Sequence, residues 1–324
     1  MSLESLCPMK QRYLLIVLVV LSVLSVFIGV TSLNISDITS LTDQQQQILW
    51  QSRIPRLISI IIAGATMAVG GLIMQQLSRN KFVSPTTAGT MDSARLGILV
   101  SLLVFTSASP MLQALTAMVF AVLGTMVFMK ILDKIKFKDA IFIPLVGIMF
   151  GNIIGSITMF FAYQHDLIQS MSSWLQGDFS MILAGRYELL YISIPLLAVA
   201  YGYANKFTIA GMGEDFSTNL GLNHKQVVNI GLIIVAVSTS VVVLTVGLIP
   251  FLGLIIPNIV SIYHGDHLRK NLPHTAILGA LFVLACDILG RVIIYPYEIP
   301  IGLTVGVIGS GTFIYLLLRR KAYA

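Results

Sequence analysis

The stretch RIPRLISIIIAGATMAVGGLIMQQLSR occupies residues 53–79. Arginines stand at 53, 56 and 79, and nothing charged lies from Leu57 to Ser78. A helix advances about 1.5 Å per residue, so a run of this kind matches the roughly 30 Å hydrocarbon core of a bilayer. The run is continuous rather than alternating, which favours a helix over a barrel strand of about ten residues.

The rest of the chain follows the same plan. Of 324 residues 56% are hydrophobic and only 10% charged, against roughly a quarter charged in ordinary soluble domains. Mean hydropathy is +0.89. A water-soluble fold of this size has too few polar side chains here to cover its surface. Disorder, collagen, a disulfide framework and a free cytosolic enzyme are excluded on the same grounds. Cys7 and Cys286 have no metal-ligand spacing. Ten apolar segments can be drawn, at about 13–33, 54–78, 87–107, 109–132, 140–163, 188–205, 226–248, 250–263, 273–294 and 299–318. The eighth is short for a full span. The third opens on small polar residues (Pro85, Thr86, Thr87, Gly89, Thr90), which predicts a partly non-helical start shielded by protein. No soluble domain interrupts the segments, so 1–324 reads as one all-α transmembrane domain. The first apolar run is too long for a cleaved signal peptide and no small-residue cleavage site follows it.

Ten crossings put both termini on one side. With that side cytoplasmic, 15 of the 20 lysines and arginines fall inside and 4 outside, with Arg95 within the third segment. This satisfies the positive-inside rule. The net charge of +6 is spread in small groups between apolar runs, a product of topology rather than a nucleic-acid-binding face.

Motifs for bond chemistry are missing. No phosphate-binding loop of the form G-x-x-x-x-G-K-[ST] occurs, nor an H-E-x-x-H, a Cys/His cluster or a G-x-S-x-G. Asp92 has Arg95 three residues on, and Asp287 has Arg291 four residues on, spacings that put each pair on one helical face. Ion-coupled carriers need ionisable groups near the midplane that are not neutralised in this way. Any transport by this chain therefore points to an energy source elsewhere.

Three groups of residues stand out. Gly147, Gly151 and Gly155, beside Asn152 and Ser156, form a small-residue ladder on the fifth segment, and the tenth carries Gly302, Gly306, Gly309 and Gly311. They serve close helix packing or line a pathway. Arg53, Arg56 and Arg291 flank spans on the outer side, either snorkelling to headgroups or docking an acidic partner. Between the sixth and seventh segments, Gly213 precedes Glu214 and Asp215, and Leu220 precedes Gly221. Acids favour a helix start and glycine a stop, so a short helix is predicted with Phe216 as an apolar residue on it. It is a connector or a plug for a cytoplasmic partner.

Taken in order, several stretches resemble the FecCD family of ABC importer permeases, typified by the vitamin B12 permease BtuC. They are Arg53-Ile-Pro-Arg-Leu57, Ala63-Gly64-Ala65, Gly70-Gly71 to Gln75, Arg79-Asn80, Ser84-Pro85, Trp174 with Gly177, Gly213-Glu-Asp to Leu220-Gly221, Gly247-Leu-Ile-Pro-Phe-Leu-Gly253 to Pro257, Gly265-Asp-His267, Leu272-Pro273, Asp287 to Arg291 and Glu298 to Gly302. The resemblance implies a BtuC-like type II importer fold with ten helices per subunit. Its partners would be a second permease subunit, two cytoplasmic ATPases and an external binding protein, in a bacterial cell membrane with both termini cytoplasmic. The chain would bind no cofactor itself, ATP being handled by the ATPase subunits.

The resemblance further implies that Arg53, Arg56 and Arg291 dock the binding protein, and that Gly213, Glu214, Asp215, Phe216, Ser217, Leu220 and Gly221 couple to the ATPase. Gly147, Gly151, Asn152, Gly155, Ser156, Gly302 and Gly306 would line the translocation pathway. The sequence departs from the family pattern at Pro250, where glycine is common, at Asn258, where histidine is common, and at Ser217-Thr218, which replace Ala-Arg. The run from Arg79 to Gly97 is similar to a subgroup serving catecholate or mixed catecholate siderophores such as petrobactin. The competing reading is an ion-coupled secondary transporter using Asp92 or Asp287. An intramembrane enzyme ranks last because no nucleophile–base or metal pattern is present.

Overall fold

Every one of the ten apolar segments coincides with a helix in the computed structural model, which describes residues 10–29, 42–85, 89–105, 109–134, 142–185 and 187–321. In chain order the α-helices are α1 (Gln11–Phe27), α2 (Asp43–Ile48), α3 (Ile54–Leu77), α4 (Thr90–Val104), α5 (Pro110–Lys134), α6 (Phe142–Gln164), α7 (Ile168–Leu175), α8 (Ser193–Ala210), α9 (Glu214–Asn219), α10 (His224–Val246), α11 (Leu252–His264), α12 (Leu268–Val292) and α13 (Ile301–Lys321). No strand occurs among the described residues. Five helical stretches are long and apolar enough to cross a membrane, and three shorter apolar helices join them.

Local differences from the sequence reading have physical causes. The polar stretch before α3 is helical: Thr42 caps α2 in a capping box with Gln45, and a π-helical turn, Leu49–Arg53, carries the helix into α3. The glutamine run 44–47 is therefore the entry to the span. A short helix, α7, lies in the hydrophilic 164–187 connection. The predicted non-helical start of the third span is seen at Gly89, whose φ of +68° places it in the left-handed region just before α4 begins. Residues 86–88 lie outside the described residues. The short eighth segment is α11, 13 residues long.

α3 is the axis of the molecule. Of the most apolar part of Asp43–Leu77, 72% is buried, against 22% for Leu145–Gln164 in α6. Lipid tails are as apolar as leucine, so such helices associate through close contact rather than water exclusion. Gly64 of α3 lies so near α12 that an added methyl would sit 2.8 Å from the Ala280 Cα and the Gly279 carbonyl oxygen. Around this contact Ile60, Met67, Val242, Leu252 and Leu284 form the core. The outward faces of α5, α6 and α13 carry exposed Leu115, Leu123, Ile153, Phe160, Val307 and Ile314. Such surfaces suit lipid or another membrane subunit.

α3 and α12 run antiparallel, which sorts the charges to two ends. Arg53, Arg56, Arg291 and Glu298 gather at one end, and at the other Lys81 pairs with Asp266 at 2.9 Å. Asn258, one of the departures from the family pattern, donates to the Lys81 carbonyl at 2.8 Å and to that of Leu254 at 2.7 Å. It ties α11 to the loop after α3.

Candidate functional site

A cavity of about 820 Å³ lies between α4, α6 and α7. Its polar lining is Asp92 and Arg95 from α4, Asn152, Ser156 and Thr158 from α6, Ser172 from α7 and Gln176 just after it. Gly151 and Gly155 also line it, and both have a steric role. A methyl on Gly151 would stand 2.5 Å from Asp92 Oδ2, and one on Gly155 would stand 3.6 Å from Oδ1. The ladder thus lets a carboxylate lie against the middle of α6. Asp92 faces the ninth to thirteenth residues beyond Phe142 in a 23-residue helix, about half way along it. Asn152 and Ser156 are exposed at the same depth. Polar groups there are costly against hydrocarbon, so this face suits a second protein surface or a water-filled passage.

Gly147 is buried one turn away and does not line the cavity. Gly302 and Gly306 also lie elsewhere. Gly302 donates its amide to the Gly177 carbonyl at 3.1 Å, and Gly306 faces Pro250. Both seat α13 against the turns that follow α7 and α10.

The three arginines form a second cluster, and it is largely internal. Arg56 Nη1 meets Glu298 Oε2 at 2.7 Å and Nη2 meets Asp287 Oδ1 at 2.8 Å. Asp287 also pairs with Arg291 at 2.7 Å, as its spacing predicts. Arg291 donates to the carbonyls of Ser25 and Ile28 at 3.0 and 2.8 Å, and Arg53 to that of Val26 at 2.5 Å. Two guanidinium groups thus cap the open carbonyls at the end of α1, where cations are favoured. The Arg56 side chain keeps 14% of its exposure, Arg291 keeps 5% and Glu298 keeps 27%. The sequence shows the Asp287–Arg291 spacing, but Arg56 and Glu298 reach this cluster only through the fold.

The third group lies near the Lys81 end. Gly213 has φ +119° and Gly221 φ +78°, and the predicted short helix between them is α9. Phe216 and Leu220 are exposed on it, together with Met212 just before it. Ser217 points inward: it is fully buried, and its hydroxyl lies 2.9 Å from His224 Nδ1 at the start of α10. This second departure from the family pattern fixes the helix from beneath. Glu214 and Asp215 occupy the first turn, where acids favour the dipole.

A family model described as the FecCD transport family matches residues 15–319. The chain belongs to the FecCD transport family. Among FecCD relatives, it is 68% identical over 316 residues to the petrobactin import system permease protein YclN of Bacillus subtilis, covering 98% of this chain and 100% of that one. It is 38% identical to the ferric-anguibactin transport system permease protein FatD of Vibrio anguillarum, over 91% of this chain and 94% of the relative. A solved chain from a metal-chelate type ABC transporter in an inward-facing conformation superposes with a TM-score of 0.84. That pair shares 23% identity over 95% of this chain and 98% of the other, and it shows that the two have the same fold. The chain is therefore an all-α, multi-pass transport permease.

Proposed function

We propose that the chain is one half of the membrane channel of an ATP-driven ABC importer for ferric siderophores, and that its cargo is petrobactin or a close relative. The observation carrying this reading is the 68% identity, along the full length, to a petrobactin import permease. The second half is another permease subunit, two cytoplasmic ATPases supply the work, and an external binding protein delivers the cargo. The chain sits in a bacterial cell membrane with both termini cytoplasmic, as one transmembrane unit holding no nucleotide. The acidic lobes of the binding protein meet the end bearing Arg53, Arg56 and Arg291, and α9 seats in the ATPase at the other end. The cavity beside α6 belongs to the passage.

An ion-coupled carrier needs an unneutralised intramembrane acid, and Asp92 and Asp287 both face arginines. Cargo is tested in permease-deleted cells carrying this gene, supplied with ferric petrobactin, a ferric trihydroxamate or cobalamin. The reading expects iron uptake from ferric petrobactin alone. Equal rescue by the trihydroxamate, or none by petrobactin, overturns the cargo assignment.

A further inference from the structure

Arg95 lies inside the third apolar segment, 87–107, and lines the cavity beside α6. Its pairing with Asp92 is loose: Nη1 stands 3.4 Å from Oδ1. Its Nε is buried and meets no hydrogen-bond partner among the described residues. A guanidinium offers five N–H donors in a planar fork shaped for paired oxygens. The cavity, about 820 Å³, falls in the range of small-molecule sites, and Asn152, Ser156, Ser172 and Gln176 add neutral polar groups to its wall.

Asp92 differs in kind. Its carboxylate lies close against Gly151 and Gly155 of α6, while the Arg95 guanidinium lines the cavity beside it. A carboxylate beside the guanidinium keeps the empty site close to neutral and weakens its hold on any anion that enters. Passage needs such weakness, since a site that binds tightly midway stalls its cargo.

We infer that Arg95 is a contact point for the ionised oxygen donors (catecholate, carboxylate or hydroxamate) of a metal chelate crossing the cavity, and that Asp92 sets how briefly the chelate is held. This rests on the proposed importer function and names the chemistry within the passage. Arg95 is the group that touches the chelate, and Asp92 is a positioning residue acting through it.

The test uses the complete transporter in proteoliposomes with its loaded binding protein, and ferric petrobactin as probe. Arg95→Gln should lower uptake about tenfold while ATP hydrolysis stimulated by the binding protein is unchanged. Arg95→Lys should keep at least half of normal uptake. Asp92→Asn should leave ferric chelate bound to the washed complex, where the parent retains none, and adding Arg95→Gln should release it. An ion pair with only a structural role would not produce that retention. The inference is overturned if Arg95→Gln transports like the parent, if Asp92→Asn retains no chelate, or if the double variant still retains it. Failure of the parent complex to transport ferric petrobactin would instead overturn the cargo assignment.

Discussion

Arg56 of α3 and Asp287 of α12 meet at 2.8 Å although 231 residues separate them. Asp287 is shared with Arg291, so one buried carboxylate holds two guanidinium groups. Those groups then bind Glu298 and the end of α1. One side chain therefore joins α1, α3, α12 and the approach to α13. Removing one partner of a buried pair leaves the others uncompensated and costs about 3–5 kcal/mol. Asp287→Ala should lower the melting temperature of the detergent-solubilised protein by many degrees and cut its membrane yield. Glu298→Gln, at a more exposed site, should cost about 1 kcal/mol or less. Equal melting of both variants would refute this division.

The same geometry bears on docking. Glu298 neutralises part of the charge an acidic partner would meet. Glu298→Gln should tighten binding-protein docking several-fold at low salt and steepen its salt dependence. Surface plasmon resonance with the binding protein at two ionic strengths reads this. Unchanged affinity at both would place docking away from the arginine cluster.

On α9, exposed and buried residues should separate cleanly. Phe216→Ala and Leu220→Ala remove exposed side chains, so melting should shift little while uptake falls and ATP hydrolysis loses its dependence on cargo. Ser217→Val removes a buried hydroxyl and leaves His224 Nδ1 without that partner, costing about 1–3 kcal/mol. If Phe216→Ala and Leu220→Ala keep normal coupling, α9 is only a connector.

Gly151 and Gly155 differ in the room they leave. Gly151→Ala drives a methyl against Asp92 and should reduce uptake at least fivefold, whereas Gly155→Ala meets ordinary contact and should be tolerated. Equal effects in a transport assay would remove Asp92 from the cavity wall.

Much of this fold was legible because bilayer thickness imposes a length that composition reveals. Ten apolar runs met ten helices, and Gly213 and Leu220-Gly221 bounded α9 correctly. The entry helix at 43–53 was hidden because its glutamines carry no apolar period, and its signal was the Thr42–Gln45 capping box. α7 was not legible because it carries no start signal: its N-cap is Leu167 and its first turn holds no acid, whereas α9 opens on Glu214 and Asp215. The Asp92–Arg95 and Asp287–Arg291 pairs followed from helical spacing. The links from Arg56 to Glu298 and from Arg291 to α1 did not, because no local spacing encodes a contact between distant helices. Ser217 illustrates the same limit: its place in the short helix was readable, and its inward direction was not.

The central claim is that this chain carries cargo but no motor. The most direct test reconstitutes it with its permease partner and ATPases in vesicles holding the loaded binding protein on the outer side, and measures radioactive iron uptake. Uptake should require ATP on the ATPase side and survive ionophores that collapse proton and sodium gradients. Uptake that persists without the ATPase subunits, or that vanishes with the gradients while ATP is present, would contradict the account.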